Sequence, residues 1–171
     1  MHLLIVSGRS GAGKSSALGA LEDLDFYCID NLPVALLKET VTTLSTVSPG
    51  RNLAVSIDIR TLGHPADVPA LVNALTEHVG RLDVVFIDAI DESLARRFSE
   101  TRRLHPLSTG IERTHLSDAL KRESERLEPI QQIATYKIDS SGLSIHALRS
   151  QIRELVAGDK ATQLILKLQS F

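Results

Sequence analysis

Apolar positions along the chain switch repeatedly between two periodicities. Leu3–Ser7 is a continuous apolar run, the pattern of a strand covered on both faces. Ala17, Leu18, Leu21 and Leu24 then recur at helical spacing, and Phe26–Ile29 is a second short run closed by Asp30. A helix is expected next, with Pro33 in its first turn, where a missing N–H costs nothing. Leu53–Ile59 reads as a third strand. Val68, Leu71, Val72, Leu75 and Val79 mark a helix face between Pro65 and Gly80. Val84–Ile87 is a fourth strand ending at Asp88, Thr114 to Leu127 a helix stopped by Pro129, and Thr135–Ile138 a fifth strand followed by Ser140, Ser141 and Gly142. Ile145, Leu148, Ile152 and Leu155 share one face of a last helix that closes at Gly158. Strands alternating with helices predict a three-layer α/β domain over residues 1–160, with a parallel sheet of about five strands flanked by helices. Leu164–Leu168 looks like a further strand, so residues 161–171 are expected to begin a second, truncated domain.

The first strand runs straight into Gly8-Arg9-Ser10-Gly11-Ala12-Gly13-Lys14-Ser15, which matches G-x-x-x-x-G-K-[ST]. Each position has a physical task. The glycines let the backbone curl so that successive N–H groups, including those of Arg9, Ser10 and Ala12, form an anion-binding nest. The helix that starts near Lys14 adds the positive end of its dipole. Lys14 would reach the β- and γ-phosphates of a nucleoside triphosphate, and the Ser15 hydroxyl would coordinate Mg2+. A strand before and a helix after are the context this mechanism requires, so the expected fold is that of a P-loop NTPase of kinase-like type, with ATP or GTP as ligand.

Magnesium also calls for an acid at the end of a neighbouring strand. Asp58 closes Ala54-Val55-Ser56-Ile57-Asp58, and Asp88 closes Val84-Val85-Phe86-Ile87-Asp88. Asp58 is preferred as metal ligand and catalytic partner of Lys14, because Arg60 and Thr61 follow at once and bring a charge and a hydroxyl suited to phosphate or ribose. Asp30 is a third such acid and equally a helix cap for the segment begun by Pro33. Between Arg96 and Arg103 lie Arg96, Arg97, Arg102 and Arg103, with His105-Pro106 just behind. Arginine forks suit phosphate oxygens, and the order resembles the lid of nucleoside monophosphate kinases; the alternative is a solvated helix end paired with Glu92 and Glu100.

Composition narrows the partners. The chain has 171 residues, 19 Lys plus Arg against 21 Asp plus Glu, a formal charge of −2, which argues against a surface built wholly to grip nucleic acid. The single cysteine, Cys28, lies inside an apolar run and reads as a small hydrophobe, so a disulfide framework is excluded and a reducing cytoplasm is expected. No apolar run approaches the ~20 residues of a membrane span. The six histidines show no metal-ligand spacing, and no Gly-x-Ser-x-Gly elbow is present. Tyr136-Lys137-Ile138-Asp139 lacks the Asn of a guanine-reading Asn-Lys-x-Asp string, which leaves the base open.

Longer strings carry a more specific likeness. Val6–Ser15, Ala20-Leu21-Glu22-Asp23, Phe26-Tyr27-Cys28-Ile29-Asp30-Asn31-Leu32-Pro33, Ser56-Ile57-Asp58-Ile59-Arg60, Thr101-Arg102-Arg103-Leu104-His105-Pro106-Leu107 and Glu125-Arg126-Leu127-Glu128-Pro129 resemble the RapZ/YvcJ-like family of RNase adapter proteins. The resemblance implies an ATP- and GTP-binding domain with weak hydrolysis, its ATP site on Gly8–Ser15. The family's Asp-x-Arg string, usually followed by Asn or Ser, falls on Asp58, Ile59 and Arg60, with Thr61 departing from it. It further implies that a small regulatory RNA, whose control bears on amino-sugar synthesis, and an endoribonuclease are met through a C-terminal domain, in a homo-oligomeric full-length protein. The competing reading is a true kinase acting on a nucleotide or small metabolite, with Asp30 or Asp58 as base.

Overall fold

A computed structural model describes residues 1–108 and 115–169, with side chains to residue 158. The elements follow in the order β1 (His2–Gly8), α1 (Lys14–Glu22), β2 (Tyr27–Ile29), α2 (Leu37–Val47), β3 (Leu53–Ile57), α3 (Val68–Leu75), β4 (Arg81–Asp88), α4 (Asp91–Thr101), α5 (Leu116–Gln132), β5 (Tyr136–Asp139) and α6 (Ile145–Gln169). The strands form one 5-stranded sheet in the order β2-β3-β1-β4-β5. All its pairings are parallel.

The continuous apolar runs have the reason expected of them. Along β1, Leu3 and Ile5 face one helical layer and Leu4 and Val6 the other, because successive side chains alternate across a strand. Val84 and Phe86 of β4 join the first layer, packed with Leu37, Val41, Val72 and Leu127; Val85 and Ile87 join the second, with Leu18, Leu21, Leu94 and Ile152. The sheet is thus sandwiched, as the α/β expectation requires. At the far end of β1 the side-chain order is held by polar contacts: Asp83 accepts from His2 Nε2 (2.8 Å) and Arg81 Nε (2.6 Å), and although burial opposes its ionisation these partners hold its carboxyl below the usual range.

Several boundaries differ from expectation. Pro33 does not enter a helix directly but precedes a single 3-10 turn, Val34–Leu36, that leads into α2. The third strand stops at Ile57, so Asp58 and Ile59 lie in the turn that follows. Pro129 sits inside α5 rather than ending it. Buried Leu127 and Ile130 fasten the helix on both sides of the proline, while Glu125, whose carbonyl Pro129 cannot bond, is exposed to water. The expected start at Thr114 lies outside the described residues. The last helix does not close at Gly158: it runs on to Gln169, so Leu164–Leu168 is helical and not a strand. A glycine costs a helix about 1 kcal/mol, too little to stop one anchored by buried Leu148, Ile152 and Val156.

Candidate functional site

In this strand order β1 is central, and the chain reaches β2 and β3 on one side of it and β4 and β5 on the other. That reversal opens a crevice beyond the carboxyl end of β1, where ligands of open α/β sheets bind. The loop Gly8–Ser15 fills this position. Gly8 could be no other residue: its φ is +145, and a Cβ there would stand 1.9 Å from the Ile87 carbonyl oxygen. Gly13, at φ +117, caps α1, and a Cβ on it would meet Leu148 at 2.5 Å.

The loop is held from several elements at once. The Arg9 guanidinium donates to Asp88 (2.7 Å), to Asp91 at the start of α4 and to the Ala89 carbonyl. Ser10 donates its N–H (3.0 Å) and its hydroxyl (2.6 Å) to one oxygen of Glu123 on α5. Arg97 of α4 donates to the Gly11 carbonyl (3.0 Å), and the Ser140 hydroxyl, just past β5, donates to the Ala12 carbonyl (2.6 Å). Lys14 folds back on its own loop, its ammonium donating to the carbonyls of Gly8 (2.8 Å) and Arg9 (3.2 Å). The conformation is therefore set before any ligand arrives.

The electrostatics follow from burial and acids. Burial pushes the Lys14 ammonium below its ordinary value, partly offset by Glu123, Asp58 and Asp30, with Arg60 adding to the depression. Glu123 is fully buried, which alone would raise its carboxyl, but hydrogen bonds from His105 and Ser10 and the charge of Lys14 hold it below the usual carboxylate range.

The strand-end acids part company. Asp88, besides Arg9, accepts from the Ala89 N–H (2.8 Å). Asp58 accepts from Arg60 through its Nε (3.0 Å), Nη2 (2.6 Å) and backbone N–H (2.9 Å). Thr61 bonds Asn31 Oδ1 (3.2 Å), tying the ends of β3 and β2 together, and the Ile59 side chain is buried in the core. The acid standing nearest the Ser15 hydroxyl is Asp30, at 3.4 Å; its other oxygen accepts from Ser56. Arg102 and Arg103 are both exposed at the end of α4, where Arg102 takes a left-handed cap conformation (φ 52).

Sequence reasoning did not single out Glu123, His105 or Ser140, and left Arg97 between a phosphate lid and a solvated helix end; in the structure Arg97 donates to the Gly11 carbonyl and to Ser140. A signal for Glu123 was present. Leu120, Glu123, Leu127 and Ile130 recur at helical spacing, so a carboxylate interrupts an apolar stripe, and a buried acid needs partners.

A glycine-built phosphate loop at the switch point of a parallel sheet defines the class: a P-loop domain of kinase-like fold. A shikimate kinase from Bacteroides thetaiotaomicron superimposes with a TM-score of 0.60 at 18% identity, covering 91% of this chain and 98% of that one. A gluconokinase from Sinorhizobium meliloti does so with 0.59 at 20% identity, covering 99% and 98%. At such identities the likeness speaks for the fold. More particularly, the chain belongs to the RapZ-like family: the model of the RapZ-like N-terminal domain matches residues 1–160. A relative from Hahella chejuensis called a nucleotide-binding protein is 45% identical over 174 residues, covering 100% of this chain. The chain spans 60% of that relative's length. No helix among the described residues is long and apolar enough to cross a membrane.

Proposed function

We propose that the domain binds a nucleoside triphosphate, ATP or GTP, with Mg2+ on Gly8–Ser15 and hydrolyses it slowly, as the nucleotide-responsive part of a regulatory protein. The observation that carries this reading is the preformed loop, with the Lys14 ammonium and the start of α1 converging on one crevice. The name of the 45% identical relative, a nucleotide-binding protein, agrees with it. Lys14 meets the β- and γ-phosphates. The donors fit a hard cation: the Ser15 hydroxyl with Asp30 at 3.4 Å and Asp58 close enough to act on Lys14 are all oxygen ligands, and among the described residues no three acidic, His or Cys side chains gather, so phosphate oxygens and water complete the shell. A bound cation supplies charge neutralisation between the phosphates. Arg60, Thr61 and the exposed Arg102 and Arg103 are the further groups available to phosphate or ribose.

A regulatory role is favoured over a kinase because Glu123, Asp58 and Asp88 are each bound to a protein donor or cation. Asp30 also accepts from Ser56 but is exposed beside Ser15, and this exposure is what supports the second reading, a kinase with Asp30 as acceptor base. For the full-length protein we propose the family's RNase-adapter role in the cytoplasm. There the small regulatory RNA, the endoribonuclease and the homo-oligomer contacts belong to a C-terminal domain that follows residue 160, and a formal charge of −2 on this chain agrees with that division.

Calorimetric titration with ATP and GTP tests the site: Lys14→Ala is expected to abolish binding with the fold intact, and unchanged affinity would refute it. Single turnover of γ-labelled nucleotide in a small-metabolite extract separates the two readings. Slow free phosphate supports the regulatory domain, and label on a metabolite makes the chain a kinase.

A further inference from the structure

Behind the loop lies a buried chain of polar contacts that none of the motif residues explains. Glu123 is fully buried, and His105 is 1% exposed. One Glu123 oxygen takes both hydrogens of Ser10, and the other lies 2.8 Å from His105 Nε2. The Leu107 N–H donates to His105 Nδ1 (3.1 Å), so Nδ1 is the acceptor and the ring hydrogen sits on Nε2, pointing at Glu123. The ring also packs on Phe98 of α4, with centroids 5.3 Å apart. Both carboxylate oxygens and both imidazole nitrogens are thereby engaged, and the whole arrangement ends on one amide of the phosphate loop.

A fixed anion is an odd neighbour for a loop that receives polyanions. Its charge acts on Lys14 and lowers the positive potential of the crevice. Its geometric effect runs the other way: it turns the Ser10 amide inward to the protein and so sets the curl on which the following amides depend. Resting on the reading that Gly8–Ser15 holds a triphosphate, we propose that Glu123, oriented by His105, is a positioning residue for the phosphate loop, and that this geometric effect outweighs the repulsion between its charge and the phosphates. The same pairing anchors His105, two residues beyond Arg103, so the loop and the end of the arginine-bearing segment meet on one carboxylate.

The two effects have opposite signs in Glu123→Gln, which makes the proposal testable. The neutral amide removes the repulsion, but its NH2 must face either the Ser10 N–H or the His105 Nε2–H, donor against donor. The 171-residue chain is titrated with MgATP, MgGTP and inorganic tripolyphosphate, well below its unfolding transition. Glu123→Gln is expected to bind all three about tenfold more weakly, by the same factor, since one buried donor is left unpaired in the loop's support. His105→Phe, which keeps the ring contact and loses the donor, is expected to follow it. His105→Gln, which keeps an N–H for Glu123, is expected to stay within about twofold of the parent. Affinity unchanged or tightened in Glu123→Gln, a loss confined to one base, or equal losses in the two His105 variants overturns the proposal. If Glu123→Gln does not fold, the His105 pair decides alone. Should the parent bind no probe, or Lys14→Ala bind as well as the parent, the loop reading itself fails and the positioning role falls with it.

Discussion

The ends of β3 and β4 flank the same loop and close with the same motif, an apolar strand followed by aspartate, yet they do different work. At the β4 end, Asp88 reaches into the loop and holds Arg9, whose side chain is only 8% exposed. At the β3 end, Asp58 is buried but pairs with Arg60, whose side chain is 58% exposed and belongs to the same turn. A buried cation with its partner removed is costly, whereas a pair whose cation stands in water contributes less to stability. One acid builds the loop; the other is paired with an exposed cation of its own turn.

Removing the acid at the β4 end should have the largest effect. Asp88→Ala strips Arg9 of one carboxylate and frees the Ala89 N–H, and is expected to destabilise the domain by about 2–4 kcal/mol in chemical denaturation. A loss below about 0.5 kcal/mol would mean that Asp91 and the Ala89 carbonyl suffice, and the contrast between the two ends would dissolve. Asp58→Asn is expected to change stability by less than about 1 kcal/mol, while weakening binding of nucleotide with Mg2+ about tenfold and leaving binding in chelator unchanged or tighter. The same measurement on Asp30→Asn sharpens the assignment: if that variant alone loses the magnesium dependence, Asp30, at 3.4 Å from Ser15, is the metal acid. The smallest expected effect lies at the end of α4, where Arg102 and Arg103 should become severalfold slower to react with an arginine-directed dicarbonyl once a triphosphate is bound. Arg97, already bonded to Gly11 and Ser140, should react slowly with or without it, and equal rates for all three would remove the distinction between loop support and lid.

Much of this architecture was legible along the chain because its causes are local. Strands covered on both faces are apolar throughout, so β1, β3 and β4 stood out, and the loop glycines announced themselves because the curl needs residues without Cβ. The errors share a reason too. Proline and glycine were read as stops, but the packing of Leu127 and Ile130 carried α5 through Pro129, and the anchoring of Leu148 and Ile152 carried α6 through Gly158. Local propensity lost to tertiary burial in both.

The amino-acid sequence by itself determined the phosphate loop and the alternation of strand and helix, because both depend on neighbours a few positions apart. Tertiary structure alone decided which acids hold Arg9 and Ser10. Arg9 meets Asp88 across 79 positions and Ser10 meets Glu123 across 113, and only the placing of β1 between β3 and β4, with α5 laid behind the loop, brings them within hydrogen-bond reach. A charge carries no mark of its partner until the fold has excluded water from between them.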